Sequence, residues 1–375
     1  MKNLLFISLD TVRADVAYSR KFSGINCLRK DSVTFLNAIS SSPLTPISHA
    51  TVLSGLQPYN HGIRHLFKEK LKTEVQTITQ TLKEGGYKTG AVVSCPGMNK
   101  WYEFCRGFDF YDDEIPLLPD GTDPLKTVDV KKRGTALKRA PLVIEKAWTW
   151  LEKNKEEPFF LFLHFFDAHW PYEAPEKFAG DNVYEHEVAY SDHYLEKFIE
   201  KLKQEGLWED LTVVCFSDHG EDLEGLYPND KGGEALGHPE ELGHGCLLYD
   251  QTQKVLLTIK DRKLEKNIDV VDQVRLVDIA PTVLDLMDFG QESMKFDGVS
   301  LIPIINGTSM NLPAYSETFY PEEQTEATGG KFPHVKNKKA IRINNKDKTI
   351  INLNSDDCEV FDLESDPNEL KNLIG

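Results

Sequence analysis

Asn3-Leu4-Leu5-Phe6-Ile7-Ser8-Leu9-Asp10-Thr11 carries a nearly unbroken apolar run over residues 4–9 that stops on a carboxylate. A strand with one wet face alternates apolar and polar residues; a run without that alternation is buried on both faces, as in a parallel sheet. The same texture returns at 89–94, 159–166 and 212–217, with 255–259 as a further run. Helical spacings lie between them. Residues 76–84 end on Gly85-Gly86, a good helix stop. Residues 141–155 put Leu142, Ile144, Ala147, Trp148 and Leu151 on one face, and 192–205 do the same with Leu195, Phe198, Ile199 and Leu202. Strand and helix in alternation predict a doubly wound α/β fold: a mostly parallel central sheet with helices on both faces. After Gly298 the texture becomes short alternating stretches at 339–343, 349–353 and 359–363, which predict antiparallel hairpins. The expected organisation is a catalytic domain over 1–298 and a small C-terminal subdomain over 299–375.

A chain of 375 residues can bury a sizeable core and shelter a site. Its net charge of -17 argues against nucleic acid, whose phosphates need a basic face, and favours a small-molecule substrate. The run at 4–9 is too short for a signal peptide, and no stretch reaches the roughly 18 apolar residues of a membrane span, so no membrane partner is expected. Six cysteines are scattered without a CxxC pair, which reads as reduced thiols and a cytoplasmic protein. The C-terminal hairpins offer edges through which copies could pair, leaving a homo-oligomer open. Two segments, 113–138 and 229–245, read as surface loops that could border a site.

Three of the buried runs end alike. The first ends at Asp10-Thr11, another at His164-Phe165-Phe166-Asp167-Ala168-His169, and a third at Ser217-Asp218-His219-Gly220-Glu221. Ligands of open α/β sheets bind at the carboxyl ends of strands. Carboxylates and imidazoles gathered there suit a divalent cation. Taken singly, each residue reads equally as a helix cap or a structural hydrogen-bonder; the coincidence over three strand ends favours function. Residues 41–55, SSPLTPISHATVLSG, lead small hydroxyl residues into a helix-like run. That is either a helix capped by Thr45 or Ser48, or a nucleophile at a helix N-terminus, where backbone N–H groups favour an anion.

This segment resembles the nucleophile motif of the sulfatase family in the alkaline-phosphatase superfamily. Thr45 takes the nucleophile position, Ser48 matches, and His49 stands at the family's arginine position. Asp10-Thr11-Val12-Arg13-Ala14-Asp15 and Ser217-Asp218-His219-Gly220-Glu221 resemble the family's two metal-binding strand ends. Gly107-Phe108-Asp109, Asp167-Ala168-His169-Trp170-Pro171-Tyr172, His244-Gly245, Leu248-Tyr249-Asp250, Val277-Asp278-Ile279-Ala280-Pro281-Thr282, Val360-Phe361-Asp362-Leu363 and Asp366-Pro367 follow as further landmarks in the family's order. The resemblance implies metal ligation by Asp10, Thr45, Asp218 and His219, catalytic roles for Thr45, His169 and His244, and substrate contacts from His49, Asp167 and Thr11. Thr11 stands where sulfatases often carry a second aspartate.

The departures bear on mechanism. Sulfatases oxidise a Cys or Ser of the motif to formylglycine, and a secondary alcohol such as Thr45 does not follow that route, so no formylglycine is expected. The family's sulfate-binding lysine is missing: Ser94-Cys95-Pro96 follows Gly86-Tyr87-Lys88-Thr89 where it would fall. These departures predict a phosphate monoester or diester, or a related phosphonate ester, as substrate, cleaved by an unmodified Thr45 activated by metal. The alternatives are a sulfuric ester hydrolase using threonine directly, a phosphotransferase, and a non-catalytic relative. One divalent metal is expected, because the Asp-x-x-x-His pattern of two-metal relatives is absent from the sequence; Glu234/His238 and Glu240/His244 have the spacing with Glu instead. The donor set favours Mn²⁺, Zn²⁺ or Mg²⁺ over Ca²⁺.

Overall fold

The apolar runs form strands because Val-, Ile-, Leu- and Phe-rich segments lose little by packing both faces. In this computed structural model the described residues are 2–118, 120–123, 126, 138–174, 178, 180–223, 238–239, 241, 243–290, 294–327, 336–355 and 357–374. Strands among them are β1 Asn3–Leu9, β2 Val33–Ile39, β3 Lys88–Val92, β4 Phe110–Asp112, β5 Phe159–Phe165, β6 Leu211–Phe216, β7 Lys254–Val255, β8 Leu257–Lys260, β9 Ile268–Arg275, β10 Ala314–Thr318, β11 Lys338–Ile343, β12 Asp347–Asn352 and β13 Cys358–Asp362. Nine of them form a mixed, mostly parallel sheet in the order β4-β3-β5-β1-β6-β8-β2-β7, with β9 also on β2; the last four form a separate antiparallel sheet. The chain divides into two compact units: Met1–Thr34, Gln76–Ser217 and Leu256–Asp269 make the first; Phe35–Val75, Asp218–Val255 and Val270–Gly375 make the second.

The first unit holds the parallel strands. β1 lies between β5 and β6 in register, so that Ser8 is level with both His164 and Phe216. The carboxyl ends of these three strands therefore reach the same level, the place where such sheets bind ligands. Phe6 sits edge-on to Phe160, Phe162 and Phe216 at centroid distances of 5.1, 6.3 and 6.2 Å, which anchors the strands' register. The Ala140–Asn154 helix packs on β3 and β5, and the Ser23–Lys30 and Val183–Gln204 helices pack on each other. The last begins well before residue 192, the start expected from its periodicity, because the side chain of Asn182 caps it by accepting from the Glu185 N–H at 2.8 Å.

One expected strand is different. Residues 255–259 divide into β7 and β8; β8 runs antiparallel to β6, and β7 antiparallel to β2. An apolar run reports burial but not direction, so sequence texture alone mistakes such a strand for a parallel one.

In the second unit, β10–β13 form the antiparallel meander expected from the alternating texture, joined at one hairpin by Asn344 and Asn345, both at positive φ. Its inner face packs Ala340, Ile350, Phe361 and Leu363 against Leu247, Leu248 and Tyr249. Among the described residues, no helix is long and apolar enough to cross a membrane. Of the two expected loops, residues 127–137 and 229–237 lie outside the described residues, as do Glu234 and Glu240.

Candidate active site

In the second unit, the segment read as a nucleophile motif is the Thr45–Ser54 helix. Leu44 is its extended N-cap and no side chain caps it, so the capping role open to Thr45 and Ser48 is not used. Ser48 instead donates to the Asp218 carbonyl at 2.7 Å. The Thr45 hydroxyl lies 3.3 Å from His219 Nε2, at the helix end where peptide N–H groups are unsatisfied by the helix itself.

The geometry around His219 fixes its tautomer. Its Nδ1 is 2.9 Å from the Gly220 carbonyl, which can only accept, so Nδ1 carries the proton and donates. In the neutral ring, Nε2 then presents a lone pair to Thr45 and to Asp218 Oδ2, 3.4 Å away. Asp218 Oδ1 accepts from the His219 N–H at 2.9 Å. His49, fully buried one helical turn beyond Thr45, donates from Nδ1 to the Thr45 carbonyl at 2.8 Å and stands 3.6 Å from Asp218 Oδ2. It thus braces the Thr45 backbone and lies beside the Asp218 carboxylate.

His244 packs its ring 4.2 Å from that of His219. Its Nδ1 is 3.3 Å from Glu221 Oε1, and a pair of backbone hydrogen bonds between Asp222 and Gly243 ties the two segments together. A carboxylate at Nδ1 holds a histidine in the orientation that leaves Nε2 for proton transfer. Glu221 is a residue to which the sequence assigned no role; its signal is only its place after Ser217-Asp218-His219-Gly220.

In the first unit, Asp10 leaves β1 with its N–H donated to the Phe165 carbonyl at 2.9 Å. Its Oδ2 is 3.0 Å from His164 Nε2, with both side chains fully buried. Thr11 follows at φ 58°, a left-handed conformation that is costly for a β-branched residue. Tyr184 holds it there, donating to the Thr11 carbonyl at 2.8 Å and accepting from the Arg13 N–H at 2.9 Å. His169 donates from Nδ1 to the Trp170 carbonyl at 2.6 Å and stacks on Phe166 at 4.1 Å. Asp167, expected at the substrate, faces the start of the Ala140–Asn154 helix: Oδ1 accepts from the Ala140 N–H at 3.2 Å, and Arg139 stands 3.5 Å away. Burial pushes its carboxyl up to about 6 against the opposing pull of Arg139, which is itself forked onto Glu187.

The residues expected to hold a cation fit one. Thr45 oxygen, Asp218 carboxylate and His219 nitrogen converge in the second unit, and His219 donates its other ring N–H to a carbonyl as metal-bound histidines do. Asp10 is a buried carboxylate fixed by a neighbouring N–H group in the first unit.

Residues 2–289 match the family model Sulfatase, and the chain belongs to the sulfatase family. Residues 244–375 match a second model, N-sulphoglucosamine sulphohydrolase, C-terminal. Among curated relatives, arylsulfatase K of Rattus norvegicus is 23% identical over 345 residues, covering 79% of this chain and 60% of that protein. Steryl-sulfatase of Mus musculus is 29% identical over 172 residues, 44% of this chain and 27% of that protein. The chain thus spans about three fifths of the arylsulfatase K length. Among solved structures, one in complex with its substrate D-glucosamine-2-N,6-O-disulfate has a TM-score of 0.74 at 16% identity, covering 100% of this chain and 93% of that one. The phosphonate monoester hydrolase of Agrobacterium radiobacter has a TM-score of 0.73 at 17% identity, covering 99% and 91%.

These relatives overturn the expectation of phosphorus chemistry. Curated proteins that resemble the chain over most of its length include arylsulfatase K from several vertebrates, and the likeness to the phosphonate hydrolase shows the fold alone. A threonine in the nucleophile position and a missing lysine had pointed to phosphate, but neither change selects phosphorus over sulfur by itself.

Proposed function

We propose that this protein hydrolyses the sulfuric ester of a small anionic molecule, with unmodified Thr45 as nucleophile and one divalent metal as cofactor. The observation that carries the reading is the His219 Nε2 lone pair, turned onto the Thr45 hydroxyl and Asp218 by the bond from Nδ1 to Gly220. Thr45, Asp218 and His219 would hold the ion; Asp10 joins them in this proposal through the order of the family's motifs in the sequence. When bound, such an ion lowers the pKa of a coordinated hydroxyl and offsets charge on the transferred group.

Thr45 gives its hydroxyl proton to solvent and Oγ1 attacks sulfur, forming a Thr45 sulfate ester as the bond from sulfur to the alcohol oxygen breaks. The leaving oxygen takes a proton from His244, which Glu221 orients, or from His169. Water then attacks sulfur of the Thr45 ester and releases sulfate; one water proton restores the Thr45 hydroxyl and the other returns to the histidine. The acidic charge of the chain, -17, fits a small ester better than a long polyanion. Mn²⁺, Zn²⁺ or Mg²⁺ suits an O,O,N donor set. The same proposal includes a catalytic body over 1–298 with a C-terminal subdomain, and a reducing, cytoplasmic setting, supported by six cysteines that are all thiols.

The test is hydrolysis of p-nitrophenyl sulfate beside p-nitrophenyl phosphate and bis-p-nitrophenyl phosphate, with each metal added to stripped protein. Sulfate turnover that disappears in Thr45→Ala supports the reading. Absence of sulfate turnover with every metal, on aryl and sugar sulfates alike, would overturn it.

A further inference from the structure

In the sequence, His164 reads as one more residue of a buried strand end. The structure gives it a defined proton and a defined target. Its Nδ1 accepts the backbone N–H of Ser94 at 3.3 Å, and the Ser94 hydroxyl donates to the His164 carbonyl. A peptide N–H can only donate, so Nδ1 carries the lone pair, and in the neutral ring the proton sits on Nε2. That N–H points at Asp10 Oδ2, 3.0 Å away. Ser94 thus fixes both the main chain and the ring of His164, at the position where the sequence lacks the family's lysine.

The main chain around Asp10 is held as well. The Phe165 carbonyl takes its N–H, and Tyr184 pins the next residue, Thr11, in the left-handed region. These contacts act on the main chain, whereas the His164 N–H acts on the carboxylate itself and favours the rotamer that places Oδ2 before it. Cys95 lies in the same group, its sulfur and the Asp10 and His164 ligand atoms all within 4.8 Å of one another and buried. A second metal there would need the His164 Nε2 lone pair, which moves the proton to Nδ1 and sets two donors, Nδ1–H and the Ser94 N–H, against each other.

We propose that His164 is a positioning residue: its Nε2–H holds the Asp10 carboxylate in the rotamer that ligates the divalent ion, and thereby sets metal affinity. This rests on the reading of Asp10 as a ligand. Hydrogen-bonded partners of metal ligands are commonly worth about 10–100-fold in affinity.

The experiment is competition of the full chain against a chelator for Mn²⁺ and Zn²⁺, with unfolding of the metal-free protein followed alongside. His164→Asn still accepts from Ser94 but is too short to reach Asp10; we expect it to weaken affinity about 10–100-fold. His164→Gln places an amide N–H where Nε2 was and should recover most of the loss. His164→Leu, which has no donor, should match Asn and covers the case in which Asn fails to fold. Unchanged affinity in the folded Asn or Leu variant, with only metal-free stability lowered, would mean a purely structural histidine and sink the proposal. So would two bound ions per chain with a thiolate-to-cobalt band in the Co²⁺ form that is lost in Cys95→Ser. If the wild type binds no ion, or Asp218→Asn leaves affinity unchanged, the reading of the metal site itself fails. Normal wild-type binding lost in Asp218→Asn, but indifferent to His164, overturns this proposal alone.

Discussion

The Nε2 of His219 stands 3.3 Å from the Thr45 hydroxyl oxygen with its lone pair toward it, because Nδ1 spends its proton on the Gly220 carbonyl. Gly220 can lie where it does because it has no side chain: a Cβ there would fall 1.9 Å from the Gln251 carbonyl oxygen. One close backbone approach thus sets a tautomer, and the tautomer sets what Thr45 faces.

Replacing Thr45 tests the nucleophile. Thr45→Ala should lower sulfate ester turnover about 10³-fold or more, since removing a nucleophile removes the covalent route altogether. It should leave circular dichroism unchanged and stability within about 1 kcal/mol, because the hydroxyl makes no helix cap. Thr45→Ser keeps the oxygen and should keep measurable turnover. An intact-mass measurement should show the resting chain unmodified; a covalent intermediate, heavier by one SO₃ group, should accumulate if its hydrolysis is slow.

Metal removal should report the same group of donors. A chelator should abolish turnover and readdition restore it. Asp218→Asn, which keeps the shape but loses the charge, should lower metal content by elemental analysis, and His219→Ala should do so as well. Both replacements lie in fully buried positions, so each variant's folding must be checked by its melting transition. Full metal occupancy in a folded Asp218→Asn protein would refute the ligand assignment.

Glu221→Gln separates orientation from ligation. Gln keeps one oxygen that can accept but loses the charge, so the hold on the His244 ring, 3.3 Å from its Nδ1, weakens. We expect kcat to fall about 10–100-fold with metal content unchanged, the size usual for a lost orienting partner. A leaving group of low pKa needs less protonation, so the loss should shrink on aryl sulfates with better leaving groups. A loss that is the same for every leaving group would argue against proton delivery by His244.

Much of this arrangement is legible in the sequence, for identifiable reasons. Unalternated apolar runs reveal β1, β3, β5 and β6, since a strand buried on both faces has no other texture. The carboxylates at their ends stand out because an acidic residue directly after such a run is unusual in a core. β2 is not legible: Thr34 and Asn37 interrupt its apolar residues without a regular alternation, so it has the texture of neither a half-buried nor a fully buried strand. The direction of β8 is set by its pairing with β6 and β2, which are remote in sequence. Glu221 and His164 escape notice because their importance lies in the atom each faces. His164 sits inside an apolar run and reads as core until Asp10 and Ser94 are placed around it. The choice of sulfur over phosphorus is not written in Thr45 itself; it came from the relatives.

Asp167 gives a pH-dependent prediction with a definite sign. Burial raises its carboxyl from 3.8 to about 6 in the folded protein, so between those values the folded state binds more protons than the unfolded one. Stability from this group is therefore highest below about pH 4, falls as pH rises toward 6, and stays at its lower level above that. Asp167→Asn keeps an oxygen to accept the Ala140 N–H and Arg139 contacts, and places its NH₂ where Oδ2 has no hydrogen-bond partner. The variant should be more stable than wild type at pH 7 by on the order of 2 kcal/mol, offset in part by the weaker hold on Arg139, and no more stable at pH 4. Arg139 retains its fork to Glu187 in either case. Denaturant melts at the two pH values measure the difference directly. The same variant decides whether Asp167 also binds substrate: if its role is confined to the start of the Ala140–Asn154 helix, KM for the sulfate ester stays unchanged, whereas a rise in KM with stability gained would place the carboxylate at the substrate.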